Sequence, residues 1–180
     1  MDNIERVLVP VDFSDCSNGV VEQAAFLAAR LGASLSIVHA VDAPHGIGRD
    51  TTIHPDGGAA VSVIDHLRSS ALDELPRYRS VVAEHGVEVD LEVVEGTPVD
   101  AILGAAERLG AGMIVMGTHG RRGLQRVFLG SVAEAVLRRA DVPVVTVRSR
   151  WHEGCDAKSC STCTSHLRRA REDVETEFDG

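Results

Sequence analysis

The chain has 180 residues, a formal net charge of −9 and an aromatic content of 3%, which suits one globular domain of helices and aliphatic strands with a short extension. The acidic balance argues against general nucleic-acid binding, which requires a basic surface. Residues 1–14 lack the pattern of a signal peptide, and no apolar run reaches the roughly 18 residues that a membrane span needs, so we expect a cytoplasmic protein without a membrane partner.

Strands and helices are predicted to alternate from the start of the chain. The valine-rich run at 6–11 predicts a strand that is buried on both faces. Apolar residues at helical spacing predict a helix over 18–31, which ends at Gly32. Residues 34–41 predict a second strand, and residues 42–58, with four glycines and two prolines, predict a loop.

The second half of the chain continues the alternation. A helical pattern runs over 61–85 and is expected to kink or split at Pro76, and the alternation of apolar and acidic residues over 87–96 predicts an edge strand. The remaining elements are a helix with Thr97 as N-cap, a strand at 113–116, a helix at 131–140 and a strand at 142–147. Right-handed crossovers turn this order into an open, doubly wound parallel α/β sheet of five strands with helices on both faces.

A basic, glycine-rich loop follows the fourth of these strands. Residues 117–131 contain three arginines, one histidine, four glycines and no acidic residue. In doubly wound sheets, ligands bind at the carboxyl ends of the strands, where the winding direction reverses. Glycines let backbone amides approach an anion, and the helix that opens at Gly130 and Ser131 favours phosphate. The alternative is an ordinary connection in which Ser131 is the N-cap of a capping box over 131–134.

The spacing Gly117-x2-Gly120-x9-Gly130-Ser131 resembles the nucleotide-binding signature of the ATP-binding branch of the universal stress protein family. The opening "VLVPVDFSDCS" and the stretches "IVMGTHGRRG" and "LGSVAEAVLRRADVPVVTVR" are also similar to that family, so the resemblance covers residues 4–148. It implies a nucleotide-binding domain over 1–148. The implied fold is Rossmann-like, of the adenine nucleotide alpha hydrolase type, with strand order 3-2-1-4-5.

The resemblance also implies an ATP site, with magnesium accompanying the phosphates. Asp12 would contact the ribose, Ala40 would lie beside the base, and Gly130 would line the phosphates. The full implied set is Pro10, Val11, Asp12, Ala40, Met116, Gly117, His119, Gly120, Gly130, Ser131 and Val132. For Asp12 the alternative is a turn residue, and for His119 a role in shaping the loop; His39 is expected to be a satisfied residue at the edge of the core.

The implied function is an ATP-binding stress-response or signalling module that pairs as a homodimer through its fifth strand. The sequence contains no evident catalytic constellation, so at most slow ATP hydrolysis is expected. Two alternatives stay open: an adenylate-handling enzyme on the same fold, and a metal- or redox-sensing protein whose nucleotide domain is a scaffold.

The second alternative depends on residues 149–180, an extension beyond the family's usual end. Cys160 and Cys163 form a Cys-x2-Cys pair, the commonest half of a zinc site. We predict that Cys155 and His166 complete the zinc ligands. His152 as a ligand, a redox pair of the two central cysteines and a tail without metal are the alternatives.

Overall fold

A computed structural model of the chain describes residues 3–118 and 130–147. Within these ranges the strands are β1 (Arg6–Pro10), β2 (Ser34–Val41), β3 (Thr52–Ile53), β4 (Val61–Ser62), β5 (Val89–Glu95), β6 (Met113–Gly117) and β7 (Val144–Val147). The α-helices are α1 (Asp15–Leu31), α2 (Val63–Glu74), α3 (Tyr78–Ala83), α4 (Pro98–Arg108) and α5 (Ser131–Arg139). None of the helices in the described part of the chain is long and apolar enough to cross a membrane.

Five of the strands form one parallel sheet in the order β5-β2-β1-β6-β7, and β3 and β4 form a separate antiparallel pair. Counted along the chain, the five parallel strands have the predicted order 3-2-1-4-5, which confirms the doubly wound fold. The winding direction reverses between β1 and β6, where Val7 pairs with Met113 and Leu8 with Ile114. A ligand crevice is therefore expected beyond the carboxyl ends of these two strands.

Strand β1 is buried on both faces, as its continuous apolar run predicts. Val7 and Val9 belong to a core cluster with residues of α1, α2 and α3, whereas Leu8 belongs to a second cluster with residues of α4 and α5. All three side chains are fully buried. Helices therefore cover both faces of the sheet at β1, and the expected ligand crevice lies beyond its carboxyl end.

The structure revises the segment between β2 and β5. The predicted loop at 42–58 contains β3, whose Ile53 is completely buried and pairs with Val61 of β4. The predicted long helix therefore begins at Val63 instead of residue 61. Pro76 splits it as predicted, because the helix gives way to a 3-10 turn over Leu75–Arg77 before α3 begins.

Candidate functional site

The predicted site residues of the first two parallel strands lie at the carboxyl edge of the sheet. Pro10 ends β1, and the amide of Val11 donates a hydrogen bond to the carbonyl of Val38, at 2.9 Å, which keeps the chain beside β2. Ala40 is the penultimate residue of β2 and pairs with Val94 of β5. Asp12, half-buried, then stands just beyond the end of β1.

The other side of the crevice is formed by the end of β6 and the start of α5. Met116 is buried and Gly117 is the last residue of β6. The amide of Gly130 donates to the carbonyl of Thr118, at 2.8 Å, so the start of α5 lies against the end of β6. This contact brings the N-terminus of α5 to the same edge of the sheet as Asp12.

The start of α5 differs from one sequence expectation. Gly130, not Ser131, is the N-cap, and Ser131 is the first helical residue, so the capping box with Ser131 as N-cap is wrong. Gly130 has no side chain with which to accept an amide hydrogen, and Ser131 is exposed. The first amides of a helix have no acceptor within the helix, and its dipole favours an anion there.

The carboxylate of Asp12 is held by the turn that follows it. Its Oδ1 accepts hydrogen bonds from the amide of Ser14 at 3.1 Å, from the hydroxyl of Ser14 at 2.6 Å and from the hydroxyl of Ser17 at 2.8 Å. Asp12 is therefore both a turn residue and an oriented carboxylate at the crevice, and the two interpretations given for it are compatible.

An aromatic group lies beneath this turn. Phe13 is buried and has a positive φ of 60°, a conformation that costs a non-glycine residue on the order of 1–3 kcal/mol. Its ring centroid lies 4.3 Å from that of His39 and 6.1 Å from that of Tyr78. His39 is buried and its Nδ1 donates to the carbonyl of Val11 at 2.7 Å, so it has the expected structural role at the edge of the core.

The sequence interpretation missed Tyr78, although Pro76 was a signal that the chain turns there. The Tyr78 hydroxyl is buried and makes no hydrogen bond of regular geometry within the described residues. Burial raises the pKa of Tyr78 to about 12, and the nearby Arg77 guanidinium and Ser17 hydroxyl oppose this rise. The Arg77 guanidinium stacks on both rings, 5.1 Å from Tyr78 and 5.9 Å from Phe13. The phenol therefore stays protonated near neutral pH.

An ion pair holds the segment after β2 against the same edge of the sheet. Glu95, the last residue of β5, pairs with Arg49 from this segment and with Arg68 of α2, the latter at 3.1 Å. Glu95 is also the register partner of Val41, the last residue of β2. The segment is thus anchored close to Ala40, where the base is expected.

Some of the predicted residues lie outside the part of the chain that the structure describes. These are His119 and Gly120 of the glycine-rich loop and the predicted zinc ligands Cys155, Cys160, Cys163 and His166. Over residues 3–118 and 130–147, no group of three or more His, Cys, Asp or Glu side chains could hold a metal ion.

Comparison with known proteins gives consistent matches. The model of the universal stress protein family matches residues 3–148. The universal stress protein MJ0531 of Methanocaldococcus jannaschii is 32% identical over 144 residues, covering 80% of this chain and 82% of that one. The structure of universal stress protein UspA from Lactobacillus plantarum superposes with a TM-score of 0.66 at 26% identity, covering 82% of this chain and all of the other. A universal stress protein in complex with cAMP superposes with a TM-score of 0.60 at 25% identity, covering 83% of this chain and all of the other.

Proposed function

The chain belongs to the universal stress protein family, and we propose that it is an ATP-binding module of that family acting in a stress response or in signalling. One observation carries the proposal. At the reversal between β1 and β6, an oriented carboxylate at Asp12 and the N-terminus of α5, whose N-cap Gly130 offers no side-chain acceptor, share one edge of the sheet. The first can accept hydrogen bonds from sugar hydroxyls, and the second can donate to phosphate.

In the proposed complex, Asp12 accepts hydrogen bonds from the ribose, while Ala40 lies beside the base. The phosphates, with magnesium, meet the amides and hydroxyl at Gly130 and Ser131. Pro10, Val11, Met116, Gly117, His119, Gly120 and Val132 complete the proposed set of contacts. The similarity to a universal stress protein in complex with cAMP, a ligand that also joins adenine, ribose and phosphate, supports an adenine nucleotide.

We propose slow hydrolysis at most. Around the Asp12 turn, both serine hydroxyls donate to the carboxylate and the Tyr78 phenol holds its proton far above neutral pH. These groups are engaged in structure and not arranged as a base for activating water. An enzyme on the same fold would be indicated by phosphate release faster than about 1 per second.

We also propose a homodimer that forms through β7 in the cytoplasm. β7 is the terminal strand of the five-stranded sheet, and one of its edges has no partner strand within the described residues. Such an edge is suited to pairing with a second chain. Zinc binding by Cys155, Cys160, Cys163 and His166 stays a prediction from their spacing alone.

Titration calorimetry with ATP and magnesium tests the nucleotide proposal. We expect a dissociation constant in the micromolar range for the parent protein and no binding for Gly130→Val. Gly130 has φ −59° and ψ 148°, a conformation that valine also adopts, so the substitution adds bulk without forcing the backbone. Gly104→Val on α4 is the matched control, because a Cβ there would meet nothing within 4 Å.

Parent-like affinity in Gly104→Val combined with loss in Gly130→Val would support the phosphate position. Equal affinity in all three proteins would place the phosphates elsewhere. A parent protein that does not bind ATP would contradict the proposed function itself.

A further inference from the structure

The two serines that follow Asp12 both direct their hydroxyls at the carboxylate. Ser14 is the N-cap of α1, yet its side chain does not cap the helix and instead donates to Asp12 Oδ1 at 2.6 Å. Ser17 lies one turn further along α1 and is only 5% exposed, and its hydroxyl donates to the same oxygen at 2.8 Å. The amide of Asp12 makes a longer bond, of 3.4 Å, back to the Ser17 hydroxyl.

The use of Ser14 is informative because an N-cap serine normally accepts a hydrogen bond from an amide of the first helical turn. The Ser14 hydroxyl makes no such contact with the first turn of α1 and instead donates a hydrogen bond to the Asp12 carboxylate. The terminal torsion of an aspartate side chain is broad, so a lone carboxylate samples many orientations. Three donors on one oxygen restrict that rotation and hold Asp12 in one orientation before any ligand arrives.

We propose that Ser17, assisted by Ser14, is a positioning residue that orients the Asp12 carboxylate toward the ribose hydroxyls and so makes the site selective for nucleotides that carry them. This inference rests on the proposed function. It goes beyond it by assigning the sugar selectivity to a buried side chain that does not itself touch the ligand. If the serines stabilised only the turn, their loss would weaken the binding of all adenine nucleotides by the same factor.

The test is the ratio of affinities for ATP and for 2′,3′-dideoxy-ATP, a probe that lacks both ribose hydroxyls. Calorimetry is carried out with magnesium on the full chain and on the variants Asp12→Ala, Ser17→Ala and Ser36→Ala. Ser36 is the matched control, because it is a similarly buried serine, 1% exposed. It lies near the amino end of β2, the end opposite to Ala40, and its hydroxyl accepts a hydrogen bond from Arg6 of β1.

We expect the parent and Ser36→Ala to prefer ATP by about tenfold or more, since hydrogen bonds to a charged group have about that effect on affinity. Asp12→Ala is expected to abolish the preference. Ser17→Ala is expected to lower it at least about threefold by weakening ATP binding, while affinity for the dideoxy probe stays at the parent value.

Three results would overturn the inference. Ser17→Ala that loses affinity for both nucleotides by the same factor would show a purely structural role. Equal affinity of the parent for both nucleotides would contradict the proposed contact between Asp12 and the ribose, although ATP binding itself would stand. A parent that binds neither would contradict the proposed function, and the inference with it.

Thermal unfolding shows whether Ser17→Ala is folded. If it is not, Ser14→Ala provides the same measurement, because Ser14 is only half-buried. The hydrogen bond from its backbone amide to the Asp12 carboxylate, at 3.1 Å, survives the substitution. We expect a smaller but measurable fall of the ATP preference in Ser14→Ala. An unchanged preference would overturn the proposal.

Discussion

His39 fixes the turn on both sides of Asp12. Its Nδ1 bonds to the carbonyl of Val11 at 2.7 Å, and its ring lies 4.3 Å, between centroids, from the ring of Phe13. One buried side chain of β2 therefore contacts the residues immediately before and after the carboxylate. The position of Asp12 at the crevice depends on this aromatic support as well as on the serines.

The backbone conformation of Phe13 predicts that glycine is more stable than alanine at position 13, the reverse of the usual order. With φ at 60°, position 13 disfavours alanine and suits glycine, whereas in ordinary conformations alanine is the more stable of the two. Both Phe13→Ala and Phe13→Gly lose a buried ring and should lower the free energy of unfolding by about 3–5 kcal/mol. We expect Phe13→Gly to be the more stable variant, by about 1 kcal/mol.

Urea denaturation of the two variants measures this difference. Leu72 is the matched control position, because it is half-exposed within α2 and has an ordinary helical backbone. There, Leu72→Ala should be more stable than Leu72→Gly by about 1 kcal/mol. The same order of alanine and glycine at both positions would show that the turn is not held in the left-handed conformation.

Tyr78 predicts a loss of stability at alkaline pH. Burial raises its pKa in the folded protein from 10.0 to about 12, so between these values the unfolded chain releases the proton and the folded chain keeps it. Stability from this group is complete below pH 10 and is lost as pH rises toward 12, at about 1.4 kcal/mol per pH unit. Tyr78→Phe should lose less stability over that interval.

This prediction has a direct spectroscopic check, because Tyr78 is the only tyrosine of the chain. The ultraviolet absorbance of tyrosinate, followed against pH, should give a midpoint near 12 in the folded protein and near 10 in urea, in agreement with the buried position of the phenol. A folded protein that titrates with the midpoint of the unfolded chain would contradict the burial of the hydroxyl.

The sequence predicted the sheet better than it predicted the support of the site. Valine-rich runs and the glycines that end helices are local signals, and they were sufficient to predict the alternation of strands and helices and to place Asp12 at the end of β1. The strand order was implied by the resemblance to the universal stress protein family. The positive φ of Phe13 was not predicted, because it depends on packing against His39 and Tyr78, which are distant in the chain. Likewise, glycine and proline content at 42–58 indicated a loop, and the short strand pair, in which Ile53 is buried, depends on pairing with Val61 outside that stretch.

The hydrogen-bonding pattern of β7 allows a selective test of the proposed dimer. The carbonyl of Pro143, just before β7, accepts a hydrogen bond from the amide of Ile114 in β6, and the carbonyl of Val147 accepts one from the amide of Thr118, just after β6. Since the direction of backbone groups alternates along a strand, the amide of Thr146 points to the outer edge, away from β6. A proline at this position removes an outer donor and leaves the ladder with β6 intact, as prolines on edge strands do.

We therefore expect Thr146→Pro to fold and to be a monomer, while the parent and Thr146→Ala, which keeps the amide, are dimers. Thr146 is exposed in the described chain, so neither substitution disturbs the core. Light scattering at high micromolar concentration measures the mass, and circular dichroism checks the fold. A dimeric, folded Thr146→Pro would place the interface on another surface, and a monomeric parent would contradict dimer formation. Loss of the dimer in Thr146→Ala as well would indicate that the side chain, and not strand pairing, joins the two chains.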